Sequence, residues 1–123
     1  MIISCALYYV VLYIETFKRD PLTGLLNRRS FYVDARKMRN KTIAIISIDL
    51  NSLKEINDTN GHRTGDEALQ IMGNAMLVKS GRKFSVYRVG GDEFMALGKE
   101  QTSTSVEAYV QEMRSVLQGK HLI

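Results

Sequence analysis

The chain reads as an α+β domain, and three observations carry that reading. Thr42-Ile43-Ala44-Ile45-Ile46-Ser47-Ile48-Asp49-Leu50 is a β-branched, apolar run of strand length. Phe84 to Val89 and Phe94 to Leu97 flank Gly90-Gly91 in the manner of a tight β-hairpin, because the turns that match strand twist need positive φ. Around these strands, apolar residues recur at helical spacing.

The bulk composition narrows the function classes. At 123 residues the chain is one domain with a modest core, and 45% hydrophobic with 24% charged residues is ordinary for a globular protein. Seventeen basic and thirteen acidic residues give a net charge of +4, enough for weak steering of anions such as nucleotides. No basic tract of nucleic-acid-binding strength accompanies it, so DNA binding is discounted. The one cysteine, Cys5, makes no internal disulfide, and His62 and His121 are too far apart in sequence to suggest a local site. A cytosolic, reducing setting fits best.

Residues 1–14 are almost uninterruptedly apolar and are followed at once by Glu15, Lys18, Arg19 and Asp20. The run is shorter than the ~20 residues that span a bilayer, and it lacks the basic start and cleavage site of a signal peptide. It reads as the tail of a transmembrane helix, as a helix that pairs with another copy, or as a buried segment. In the first two cases Lys18 and Arg19 mark the cytoplasmic side. Residues 1–19 are therefore set apart from a domain at 20–123, as a membrane-anchor remnant or dimerisation helix.

Asp20 to Asn27 is a connector: Pro21 fixes φ, Gly24 can take positive φ, and Asn27 can cap the next helix. A helix follows from Arg28 to about Met38, burying Phe31, Ala35 and Met38. The strand at 41–50 is apolar on both faces and is expected to be central, with Asp49 at its carboxyl end. A short helix is expected at 51–60, with Leu53 and Ile56 inward and Gly61 ending it. Thr64 with Glu67 makes a capping box for a helix carrying Leu69, Met72, Ala75 and Met76 to the core, closed by Gly81. Thr104 with Glu107 starts the last helix, whose stripe is Val106, Val110, Met113 and Leu117.

Strand, helices, hairpin and helix in this order make most of a ferredoxin-like arrangement, in which the first strand neighbours the second hairpin arm. Asp49 then comes near Asp92 and Glu93. Two adjacent acids just after a hairpin turn, joined by a third, suit a divalent cation and two-metal phosphoryl chemistry. Taken alone, Gly90-Gly91-Asp92-Glu93 also reads as a solvated acidic turn.

Three blocks carry a more specific signal. Asp20-Pro21-Leu22-Thr23-Gly24-Leu25 with Asn27-Arg28-Arg29 is the first. Asp49-Leu50-Asn51 through Lys54, Asn57-Asp58, Gly61-His62 and Gly65-Asp66 is the second, and Arg88-Val89-Gly90-Gly91-Asp92-Glu93-Phe94 the third. Over residues 19 to 118 the chain resembles the GGDEF family of bacterial diguanylate cyclases, which join two GTP molecules into cyclic di-GMP across a homodimer.

The resemblance implies a nucleotidyl-cyclase palm-type sheet, antiparallel-rich, with flanking helices and incomplete at the carboxyl end. It implies Mg2+ or Mn2+ held by Asp49, Asp92 and the backbone carbonyl of Leu50. Asp92 is then the candidate base for the ribose 3′-hydroxyl, with Glu93 supporting the same cluster. Asn57 and Asp66 match positions that read the guanine edge, which suits an amide and a carboxylate. Local capping for Asn57 and first-turn dipole stabilisation for Asp66 are the plainer readings. Backbone N–H groups of Asn51, Ser52 and Leu53 would cradle terminal phosphates, with Lys54 and Arg88 as further phosphate contacts.

Departures from the family pattern are specific. Asn51 and Leu53 stand where many members have Asp and Phe, and neither change removes an implied metal ligand. The product-inhibition motif, an Arg and an Asp three positions apart, falls at Gly81 and Phe84 and is absent, so that feedback is not expected. The final strands and helix of full members are missing, which would leave the strand at 41–50 with an open edge. The expected partners are GTP and a second copy, with no nucleic acid and a tether through residues 1–14 as a further option. The expected location is cytoplasmic, with the inner face of the cell membrane as the alternative. A catalytically silent GTP-binding or dimerisation module is the rival function, and an unstable fragment of a longer sensor is a third. This chain alone is expected to show weak or no catalysis.

Overall fold

A computed structural model describes residues 2–50 and 62–119. Its elements are α1 (Ile2–Phe17), β1 (Leu26–Asn27), α2 (Arg28–Lys37), β2 (Ile43–Asp49), α3 (His62–Ser80), β3 (Ser85–Arg88), β4 (Glu93–Lys99) and α4 (Ser103–Gly119). The strands form one sheet in the order β1-β3-β4-β2, antiparallel except for the parallel β1–β3 pair. This is the α+β, antiparallel-rich sheet with flanking helices that the sequence predicts.

Period-two alternation splits the sheet residues between two cores. Ile46, Val86, Phe94 and Ala96 pack on one face with Leu69, Met72 and Met76 of α3 and Tyr109, Met113 and Leu117 of α4. Tyr87 and Leu97 pack on the other face with Phe31 of α2, against which Ala35 and Met38 are partly buried. All three stripes read from the helical spacing therefore face the core as expected, with Tyr109 added to the last.

Local chemistry explains the helix ends. Asn27 caps α2: its Oδ1 accepts from the Ser30 N–H at 3.0 Å, while its Nδ2 donates to the carbonyl of Phe17 at the end of α1. One side chain thus ties α1 to α2. Gly81 follows α3 with φ +54° and Gly24 sits in the connector with φ +74°, backbone positions that favour glycine.

Five expectations need correction. The connector contains β1, a two-residue strand too short to show a period. The strand β2 lies at the sheet edge among the described residues, not in the centre, and Ile45 is 50% exposed on it. An apolar run on both faces looked central, but on the α2 side the cluster reaches β2 only at Ile43 and leaves Ile45 in solvent. The hairpin glycines do not take positive φ; the reversal runs from Val89 to Asp92, and Glu93 folds its carboxylate against Gly90. Helix α3 begins at His62, so Thr64 lies inside it and not at its cap. Helix α4 begins at Ser103, where Thr102 Oγ1 accepts from the Ser105 N–H at 3.1 Å, so Thr102 replaces Thr104 as the starting residue. The helix expected at 51–60 and its Gly61 stop lie outside the described residues.

Candidate active site

The register of β2 against β4 builds the site. Ile46 pairs with Ala96, and counting outward brings Asp49 opposite Glu93 at the end of the ladder. One residue further, the Leu50 N–H donates to the Asp92 carbonyl at 2.9 Å, fastening the end of β2 to the hairpin. Leu50 itself is fully buried, so this fastening is anchored in the core. On the hairpin side, the N–H groups of Val89 and Gly90 both donate to the Glu93 carbonyl, at 3.0 and 3.3 Å.

The electrostatics of the cluster follow from that geometry. The Asp49 carboxyl is raised above the usual carboxylate range by lost hydration first, then by the charge of Asp92 and a hydrogen bond with it, and by the charge of Glu93. The Asp49 carboxyl thus feels the charge of Asp92 across the join of β2 and the hairpin. Among the described residues, no three His, Cys, Asp or Glu side chains are grouped so as to hold a metal ion. The structure brings Asp49 and Asp92 together with Glu93 beside them, its carboxylate turned to Gly90.

Arg88 was expected at a phosphate; both terminal nitrogens of its guanidinium bond within the protein, while its buried Nε has no hydrogen-bond partner among the described residues. Its Nη1 donates to both carboxylate oxygens of Asp20 at 3.2 Å, and its Nη2 donates to the Gly91 carbonyl at 3.0 Å. Asp20 also accepts from the Thr23 N–H at 2.8 Å and from Thr23 Oγ1 at 2.7 Å. Burial raises the Asp20 carboxyl, but the two Thr23 hydrogen bonds and then Arg88 outweigh it and hold the group below its ordinary range. The connector is in this way clamped to the hairpin that carries Asp92.

A second tie escaped the sequence reading. Tyr87 is fully buried and its hydroxyl donates to Asp34 Oδ2 of α2 at 2.6 Å. Asp20 had a legible signal in Asp-Pro-Leu-Thr, an acid three residues before a threonine, which commonly closes a turn on itself. Tyr87 with Asp34 had none, since 53 residues separate them.

Asp66 is exposed on α3, and since no acid falls in the first turn of that helix, its dipole explanation weakens. Asn51, Ser52, Leu53, Lys54 and Asn57 lie outside the described residues. A cavity of about 540 Å³ lies between α1 and α2, away from the acidic cluster.

Similar solved structures define the class first. The diguanylate cyclase SiaD of Pseudomonas aeruginosa, in complex with its activator SiaC, superposes with a TM-score of 0.79 at 26% identity, over 93% of this chain and 46% of that one. The GGDEF domain of DgcB from Caulobacter crescentus, in complex with c-di-GMP, does so with 0.69 at 27%, over 79% and 60%. The family described as diguanylate cyclase, GGDEF domain, matches residues 17–122, and the chain belongs to that family. Among curated relatives, the diguanylate cyclase DgcN of Escherichia coli is 38% identical over 100 residues, 76% of this chain and 24% of that protein. DosC of the same organism is 35% identical over 102 residues, 78% of this chain and 22% of that protein. The chain spans about a quarter of the length of these relatives.

Proposed function

We propose that this domain condenses two molecules of GTP into cyclic di-GMP with release of pyrophosphate, one nucleotide being presented by each subunit of a homodimer. The observation that carries the reading is the meeting of Asp49 and Asp92 at the fastened end of β2. Two carboxylates brought to one corner, the charge of Asp92 adding to the rise of Asp49, are the hard oxygen donors that Mg2+ or Mn2+ prefers, so the donor set fits such an ion. Asp49, Asp92 and the Leu50 carbonyl would hold it, and when bound it neutralises charge on the transferring phosphate and the leaving group.

The chain's own residues supply the remaining work. Asp92 accepts the proton of the attacking 3′-hydroxyl, and Glu93 keeps the local field negative beside it. Asn57 and Asp66 pair with the guanine edge, and Asn51, Ser52, Leu53 and Lys54 receive the phosphates. Arg88 contributes by holding the hairpin to Asp20, which sets where Asp92 begins.

The expected result is pyrophosphate release from GTP that requires Mg2+, stops on chelation and is lost in Asp92→Ala with an unchanged thermal melt. A folded, dimeric, full-length version without such release would overturn the reading. The rival reading is a GTP-binding or dimerisation module without turnover. Calorimetric GTP binding without product on chromatography separates the two.

A further inference from the structure

We propose that the outward face of α2 docks on an anionic lipid surface, with the apolar α1 inserting beside it. The inference rests neither on the catalytic reading nor on α1 crossing a bilayer. Among the described residues no helix is long and apolar enough to cross a membrane.

The charge pattern of α2 carries it. Arg28, Arg29, Tyr32, Val33, Arg36, Lys37 and, just past its end, Arg39 are all exposed. At 100° per residue they cover one half of the helix circumference, while Ser30, Phe31, Asp34, Ala35 and Met38 take the other. Every charge on the outward half is therefore positive. Asp34, the one acid of α2, is turned inward to accept the Tyr87 hydroxyl. Two apolar side chains, Tyr32 at 54% and Val33 at 41% exposure, stand among the cations. Cations interleaved with exposed aromatic and aliphatic groups are what an interface of phosphate headgroups over acyl chains accepts.

The neighbouring helix decides among anionic partners. In α1 the consecutive residues Leu7, Tyr8, Tyr9 and Val10 are exposed by 63%, 62%, 69% and 52%, so its apolar surface runs all the way round. It adjoins α2 at the 540 Å³ cavity, where Tyr13, Ile14 and Phe17 meet Arg29, Val33 and Lys37. A nucleic acid would answer the cations and leave the apolar helix in water. A second copy laid on the same face would set cations against cations. A lipid surface answers both halves at once.

Sedimentation of the full chain with phosphatidylcholine vesicles, with and without phosphatidylglycerol, tests this. The expected preference for the anionic vesicles is at least about tenfold, and it should collapse at about 1 M salt, where the Debye length is only about 3 Å. The combined variant Arg29→Gln, Arg36→Gln, Lys37→Gln, Arg39→Gln should lose the preference while keeping its thermal melt. The equal-charge control Lys79→Gln, Arg82→Gln, Lys83→Gln, Arg114→Gln, placed on α3, on the turn after it and on α4, should retain it. Equal binding to both vesicle types, equal losses in the two variants, or tighter binding to duplex DNA than to anionic vesicles would each overturn the proposal.

Discussion

Two corners of the same sheet handle charge in opposite ways. Where β3 meets the connector, Arg88 reaches both oxygens of Asp20, and Thr23 supplies that carboxylate with two further donors. Where β2 meets the hairpin, Asp49 faces Asp92 and Glu93, all of one sign. The first corner is mostly buried, with side chains 17% and 18% exposed across the ion pair; at the second, Asp49 and Glu93 are exposed. Paired charges in a shielded place serve the fold. Like charges gathered on a rigid ladder oppose it slightly, and such groups cluster where a ligand is to be met.

The largest stability effect should come from breaking the paired corner. Asp20→Ala removes the partner of a mostly buried guanidinium and leaves Thr23 without its acceptor. Breaking a fully buried pair costs about 3–5 kcal/mol, and the residual exposure here reduces that to about 2–3 kcal/mol. Chemical denaturation checks the value, and a loss below about 0.5 kcal/mol would mean that the clamp is ornamental. Tyr87→Phe should cost less, about 1–2 kcal/mol, because it keeps the ring against Phe31 and removes only the hydroxyl that satisfies Asp34. In the combined variant the losses test whether β3 holds α2 and the connector as one unit. Coupling above about 0.5 kcal/mol is expected for neighbours in one network.

The two corners also differ in how far the sequence revealed them. Asp49, Asp92 and Glu93 could be brought together from the chain alone, because the ferredoxin-like order of elements makes the first strand and the second hairpin arm neighbours. The apolar pattern of Ile43, Ile45, Ile46 and Ile48 pointed to a central strand, and only the comparison with the family pattern, whose closing strands the chain lacks, pointed to the edge that β2 takes among the described residues. The Arg88 clamp spans 68 residues and depends on β1, which has two residues and no periodicity to read. The hairpin glycines show a further limit. Gly90-Gly91 suggested positive φ, yet the closer constraint at Gly90 is the Glu93 carboxylate, 3.2 Å from where a Cβ would stand.

The contrast can be sharpened by acid titration of stability in the absence of divalent ions, where the effects are smallest. Asp20 has a folded pKa below its unfolded value, so the stability it contributes is present above the unfolded pKa and is lost as pH falls through the folded one. Asp20→Asn should be weaker than the parent at neutral pH and converge on it in acid. Asp49 is raised by lost hydration and by Asp92, so its ionised form costs stability, and that cost appears as pH climbs from the unfolded pKa through the folded one. Asp49→Asn should therefore equal the parent in acid and be slightly more stable at neutral pH. Solvent screens this exposed group, which keeps the gain below about 0.5 kcal/mol. Opposite slopes in the two difference curves are the expected outcome. A loss of stability at neutral pH in Asp49→Asn would show that this carboxylate is paired like Asp20, and the acidic corner would then belong to the fold and not to a ligand.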